Sequence, residues 1–151
     1  MLFSGACSRK TAVKRIFRLV KRVEDINNGD ADRHYVNRIR DVVIYGSFVT
    51  QPGTEKVDKV NIYIIDENNQ DKLREYRKRD ITLRRYSTCA AYTEIYNKIQ
   101  YITKRSKFFD VCNNVVKDSD TSGTIIYNPH IYIYKDYKPC DDIREKLLKE
   151  G

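Results

Sequence analysis

The sequence predicts an α/β domain in which a mixed β-sheet is flanked by helices. One long apolar stripe at helical spacing stands near the start. Several short β-branched runs follow it, bounded by turn residues and interrupted by a second helical pattern. A length of 151 residues suits a single domain, 1–151, with a core of its own. The composition, 40% hydrophobic and 33% charged, is that of a globular chain rather than a disordered one.

The first stripe runs from Lys10 to Ile26, with Val13, Ile16, Phe17, Val20, Val23 and Ile26 three and four residues apart. Lys14, Arg15, Arg18, Lys21 and Arg22 fill the other faces, and Gly29 supplies a residue fit for positive φ as the stop. Asp41 to Tyr45 reads as a buried strand ending at Gly46-Ser47, and Gln51 to Thr54 as a turn. Val60 to Ile65 is a second strand, with Val60, Ile62 and Ile64 on one face. The charged segment from Gln70 to Arg85 reads as a helix that breaks before Ser87. Ser87 or Thr88 then caps a helix through Lys104, with Ala91, Tyr92, Ile95, Tyr96, Ile99 and Ile102 as its apolar set. Phe108 to Cys112 is a third strand. Thr124 to Tyr127 and His130 to Tyr134 read as further strand around Asn128-Pro129, with Tyr132 and Tyr134 sharing one face. Asp141 or Asp142 can cap a last short helix holding Ile143, Leu147 and Leu148.

Cys7, Cys89, Cys112 and Cys140 contain no CxxC pair, and His34 and His130 are the two histidines. This spacing argues against a zinc site and predicts buried free thiols. No apolar run approaches the roughly 18 residues of a membrane span. Residues Met1 to Cys7 are too short and too weakly apolar for a secretory segment, so the expectation is a cytoplasmic protein without membrane contact.

The stretch Val42-Val43-Ile44-Tyr45-Gly46-Ser47-Phe48, set between two strands, resembles the minimal nucleotidyltransferase family. The resemblance covers Val42 to Asp66 and, loosely, the order of the flanking helices. It implies nucleotide binding at Gly46 and Ser47, where a glycine lets the backbone approach phosphates and the serine hydroxyl can donate to them. The family's next strand carries Asp-x-Asp, two carboxylates on one face that jointly hold Mg²⁺ for in-line displacement. Here that position reads Lys59-Val60-Asn61. Both carboxylates are gone, and Asp58 is one residue out of register. Asp110 fits the family's third acidic position, and one carboxylate beside Lys59 suggests a salt bridge rather than a metal centre. The resemblance therefore implies a degenerate catalytic pair and no cofactor.

Charge carries the rest. Lysine and arginine total 29 against 21 acids, a formal charge of +8, which favours polyanions or an acidic partner. Arg74, Arg77, Lys78, Arg79, Arg84 and Arg85 crowd together, and Lys104, Arg105 and Lys107 form a second group. Phosphates would relieve the repulsion within such clusters with a salt-dependent gain. The favoured reading is a catalytically inactive protein that binds nucleic acid or a nucleoprotein. Size and charge also suit, by analogy, phage or mobile-element factors that counter host defence, as anti-CRISPR proteins do. One alternative is an active nucleotidyltransferase using Mg²⁺ on Asp58, Asp66 and Asp110. Another is an antitoxin-like protein that meets an acidic partner. His34 and Tyr35, ahead of the first strand, are candidates to line the same cleft, and His130 has no catalytic partner in the sequence.

Overall fold

In the computed structural model of the chain, the described residues are 6–31, 35, 37–51, 56–67, 71, 75, 90–115 and 130–140. Their elements follow in the order β1 (Cys7–Ser8), α1 (Arg9–Asn28), β2 (Ile39–Tyr45), α2 (Ser47–Thr50), β3 (Lys56–Val57), β4 (Val60–Asp66), α3 (Ala90–Thr103), β5 (Phe109–Val115), β6 (His130–Lys135) and β7 (Lys138–Pro139). The main sheet has the order β5-β4-β2-β6-β7, and β1 pairs with β3 in a separate two-stranded ribbon. Only β4 and β5 run parallel; the other pairs are antiparallel. The fold is thus a mixed sheet with helices packed on it, as the sequence predicts.

Helix α1 starts where Ser8 caps it, its hydroxyl oxygen accepting from the Thr11 N–H at 3.1 Å. It ends at Gly29, whose φ of 81° is left-handed and whose N–H turns back to the Asp25 and Ile26 carbonyls. Its apolar stripe, including Ile16, Leu19 and Val23, is fully buried against Val42 and Ile44 of β2 and Ile62 and Ile64 of β4. The Asn27 amide ties the helix end to the sheet: it donates to the Ile39 carbonyl and the Tyr134 hydroxyl and accepts from the Ile39 N–H, at 2.7–2.8 Å.

The opposite sheet face holds a smaller cluster of Val43, Tyr63 and Ile65, joined by Tyr45 and Tyr132. Here the expected pairing of Tyr132 with Tyr134 on one face is corrected. Val42 and Val43 are consecutive, yet they oppose Tyr134 and Tyr132, leaving Ile133 as an extra residue in β6. That bulge breaks the period of two, so Tyr134 joins the α1 side of the sheet while Tyr132 stays on the other.

Further corrections concern single residues. Tyr96, expected in the apolar set of α3, is 62% exposed. Tyr35 does not line a cleft; its ring is buried in the main core and its hydroxyl reaches the Asn97 carbonyl at 3.5 Å. Cys112 is exposed, whereas Cys7 and Cys140 are partly buried, so the expectation of buried thiols fails at Cys112. Burial pushes the Cys7 thiol up, with the Arg15 charge opposing. The readings made at His34, Cys89, 52–54, 124–127 and 141–148, and most of 70–85, lie outside the described residues. Among the described residues, no helix is long and apolar enough to cross a membrane.

Candidate nucleotide site and basic surfaces

Strand β2 delivers Gly46 at its C-terminal end, and the chain turns there into the single turn of α2. The turn requires glycine. Gly46 has φ 86° and ψ −153°, a region closed to other residues. A Cβ at this position would also stand 2.5 Å from Asn61 Nδ2. The Asn61 amide therefore lies directly against the Gly46 backbone. The Gly46 carbonyl accepts from the Val49 and Thr50 N–H groups at 3.0 Å, which fixes α2, and Ser47 is exposed beside it.

Asn61 is also the pairing partner of Tyr45 on β2 and of Asp110 on β5. Asn61 and Asp110 face away from α1, because Val60 and Phe109 beside them belong to the main core. Gly46, Asn61 and Asp110 therefore lie together at one end of the sheet. Lys59 behaves differently. It precedes β4, is exposed, and makes no ion pair with Asp110 within 4 Å, so the expected salt bridge does not form. An exposed pair of this kind gains little over solvation.

These residues do not fit a divalent metal. Asn61 is neutral, Lys59 is cationic, and Asp110 is the one carboxylate among the first residues within β4 and β5. Among the described residues no group of three or more His, Cys, Asp or Glu side chains could hold an ion. The alternative carboxylate set is also ruled out as a unit. Asp66 lies five positions beyond Asn61 on β4, roughly 16 Å away, and with the alternation it faces the helices. Asp58 sits in the bend between β3 and β4, outside either strand.

Asp66 does something the sequence reading missed. Its carboxylate accepts from Lys98 Nζ at 2.8 Å, and Lys98 also donates to the Asn37 carbonyl at 2.9 Å. Lys98 and Asp66 are each 2% exposed. Burial raises the Asp66 carboxyl above its ordinary range, and the Lys98 ammonium opposes that rise. The second Asp66 oxygen has no hydrogen-bond partner among the described residues. A second missed residue is Arg9, nearly buried at the start of α1. Its guanidinium stacks 3.9 Å over Phe48 and donates to the Phe48 carbonyl at 2.9 Å, bracing α2 from behind.

Of the basic clusters, Arg74, Arg77, Lys78, Arg79, Arg84 and Arg85 lie outside the described residues. Lys104 and Arg105 are exposed and follow the last turn of α3. Comparison with protein-family models, curated proteins and solved structures returns no match to this chain. Function is therefore inferred from the chain's own residues.

Proposed function

We propose that the chain is a nucleotidyltransferase-like domain that has lost its metal-binding carboxylate pair and acts by binding nucleic acid or a nucleoprotein. The observation that carries this reading is the convergence of Gly46, Asn61 and Asp110. A glycine that only glycine can replace touches the residue aligned with a family aspartate, which is itself in register with the third acidic position. With one carboxylate there, a weakly held hard cation lacks its anionic ligands. What remains useful is the formal charge of +8, which supports a polyanionic partner. A cytoplasmic location and a counter-defence role in a phage or mobile element accord with this reading.

The experiment is a transfer assay. Purified protein incubated with each labelled nucleoside triphosphate, Mg²⁺ or Mn²⁺, and RNA or protein acceptors is expected to transfer nothing. Transfer that is abolished by Asp110→Ala would replace this reading with that of an active enzyme.

A further inference from the structure

We infer that the corner where α1 meets the end of α3 is a track for the phosphate backbone of a nucleic acid. Deepening the nucleic-acid reading above, on which it rests, it assigns that contact to a surface other than the 74–85 cluster.

Arg15, Arg18 and Arg22 stand three and four residues apart, so they form one stripe along α1. The stripe spans roughly 10 Å of helix. Two of its members are fixed by the neighbouring elements. Arg22 Nη1 donates to the Ile102 carbonyl at 2.9 Å, capping the end of α3, and the Arg15 guanidinium lies 4.7 Å over the Phe108 ring. Lys104, Arg105 and Lys107 occupy the loop between these anchor points and are all exposed.

The backbone of that loop is unusual. Lys104 and Arg105 have φ values of 53° and 59°, two successive non-glycine residues in the left-handed region. Together they turn the chain out of the helical path, with the Ser106 N–H donating to the Thr103 carbonyl at 3.0 Å.

The cluster makes no close ion pairs, although Tyr101 and Asp25 act on Arg22 from a distance and Lys104 Nζ lies 4.6 Å over the Tyr101 ring. Among the described residues, none of Arg15, Arg18, Arg22, Lys104, Arg105 and Lys107 has a carboxylate within 4 Å; the nearby Asp25 pairs with Lys21 at 2.9 Å. Partial burial, and after it the charge of Arg18, lowers the Arg22 pKa. Arg18 and Arg22 repel one another on the stripe, and a polyanion would relieve that repulsion while releasing its counterions.

A nucleic acid fits better than an acidic protein. Protein interfaces are centred on buried aromatic or aliphatic anchors. Among the described residues the one exposed large hydrophobic is Tyr96, and the corner itself is built from cations. Phosphate contacts need no such anchor and carry no base information, so binding here is tolerant of sequence. The loop also leads into the candidate site, because the Phe108 carbonyl accepts from the Val60 N–H at 2.9 Å where β4 and β5 begin.

The test is fluorescence anisotropy with labelled RNA and DNA of roughly 20 nucleotides, titrated between about 50 and 200 mM salt. The parent is compared with Arg18→Glu/Arg105→Glu/Lys107→Glu, with the neutral Arg18→Gln/Arg105→Gln/Lys107→Gln, and with Arg77→Glu/Arg79→Glu/Arg84→Glu. The corner reversal is expected to weaken binding at least about tenfold and to flatten the slope of log affinity against log salt by about 2–3. The neutral corner variant should show the same flattening, so a fold lost in one reversal does not decide the matter. A parent that binds, with both corner variants keeping its affinity and slope, overturns the corner assignment and leaves the nucleic-acid reading standing. A parent that binds neither RNA nor DNA overturns both.

Discussion

Replacing Lys98 with methionine is expected to destabilise the protein by about 3–5 kcal/mol, because it leaves the Asp66 carboxylate buried without its partner. The pair joins α3 to the last residue of β4 through a 2.8 Å contact, with both groups 2% exposed. Removing both charges tells a different story. Lys98→Met/Asp66→Leu should fall much closer to the parent, since an apolar pair of similar volume escapes the desolvation cost. The pH dependence gives an independent sign. In Lys98→Met, burial acts on Asp66 unopposed, so the folded carboxyl keeps its proton to a higher pH than the unfolded one. Between those two values the folded state binds more protons, and stability falls as pH rises. The penalty of Lys98→Met is therefore fullest at neutral pH and above, and shrinks as the pH falls through the raised value. Urea unfolding at about pH 7 and about pH 5 checks this. A cost below about 1 kcal/mol at neutral pH would show that the pair is solvated.

The second large effect is expected at Gly46. Gly46→Ala should cost about 2–4 kcal/mol, from a backbone conformation that L-residues avoid and from displacement of the Asn61 amide. The two causes separate in a double variant. Gly46→Ala/Asn61→Ala removes the contact at 2.5 Å and should recover only that part, leaving the cost of φ 86° and ψ −153°. Ser47→Ala, at an exposed neighbour, should change stability by no more than about 0.5 kcal/mol. Thermal unfolding reads all three. A neutral Gly46→Ala would mean that Asn61 does not lie against the glycine, and the convergence at this site would be lost with it.

Much of this was legible in the sequence because it obeys a period. The stripe from Val13 to Ile26 needs only the step of 3.6 residues, and Gly29 ends the helix as expected. Val60, Ile62 and Ile64 needed only the step of two, whereas the placing of Asn61 near Gly46 came from the family resemblance. Where the period breaks, inference broke too. The bulge at Ile133 sent Tyr132 and Tyr134 to opposite faces, and the pairing of Cys7–Ser8 with Lys56–Val57 is too short for any pattern. The buried pair was missed for another reason. Lys98 lies three residues after Ile95 and four before Ile102, and Asp66 continues the Val60, Ile62, Ile64 face. A charge on an apolar stripe, matched by an opposite charge on another, is a signal that a reading by composition passes over. The expected salt bridge between Lys59 and Asp110 assumed that closeness across neighbouring strands overcomes solvation, and Lys59 instead precedes β4 and is exposed.

The central proposal is that Lys59 and Asn61 stand where the resembling family has its metal-binding carboxylate pair, with Asp110 at its third acidic position. Neighbouring strands are about 4.8 Å apart, so a carboxylate at Asn61 would face that of Asp110 across β4 and β5. The most direct measurement is calorimetric titration of Mn²⁺ into the parent, into Lys59→Asp/Asn61→Asp, and into that variant carrying Asp110→Ala as well. The parent should show no saturable binding, the double variant should take up Mn²⁺, and the triple variant should lose it. Saturable uptake by the parent that depends on Asp110, or a double variant that binds no more than the parent, would contradict it.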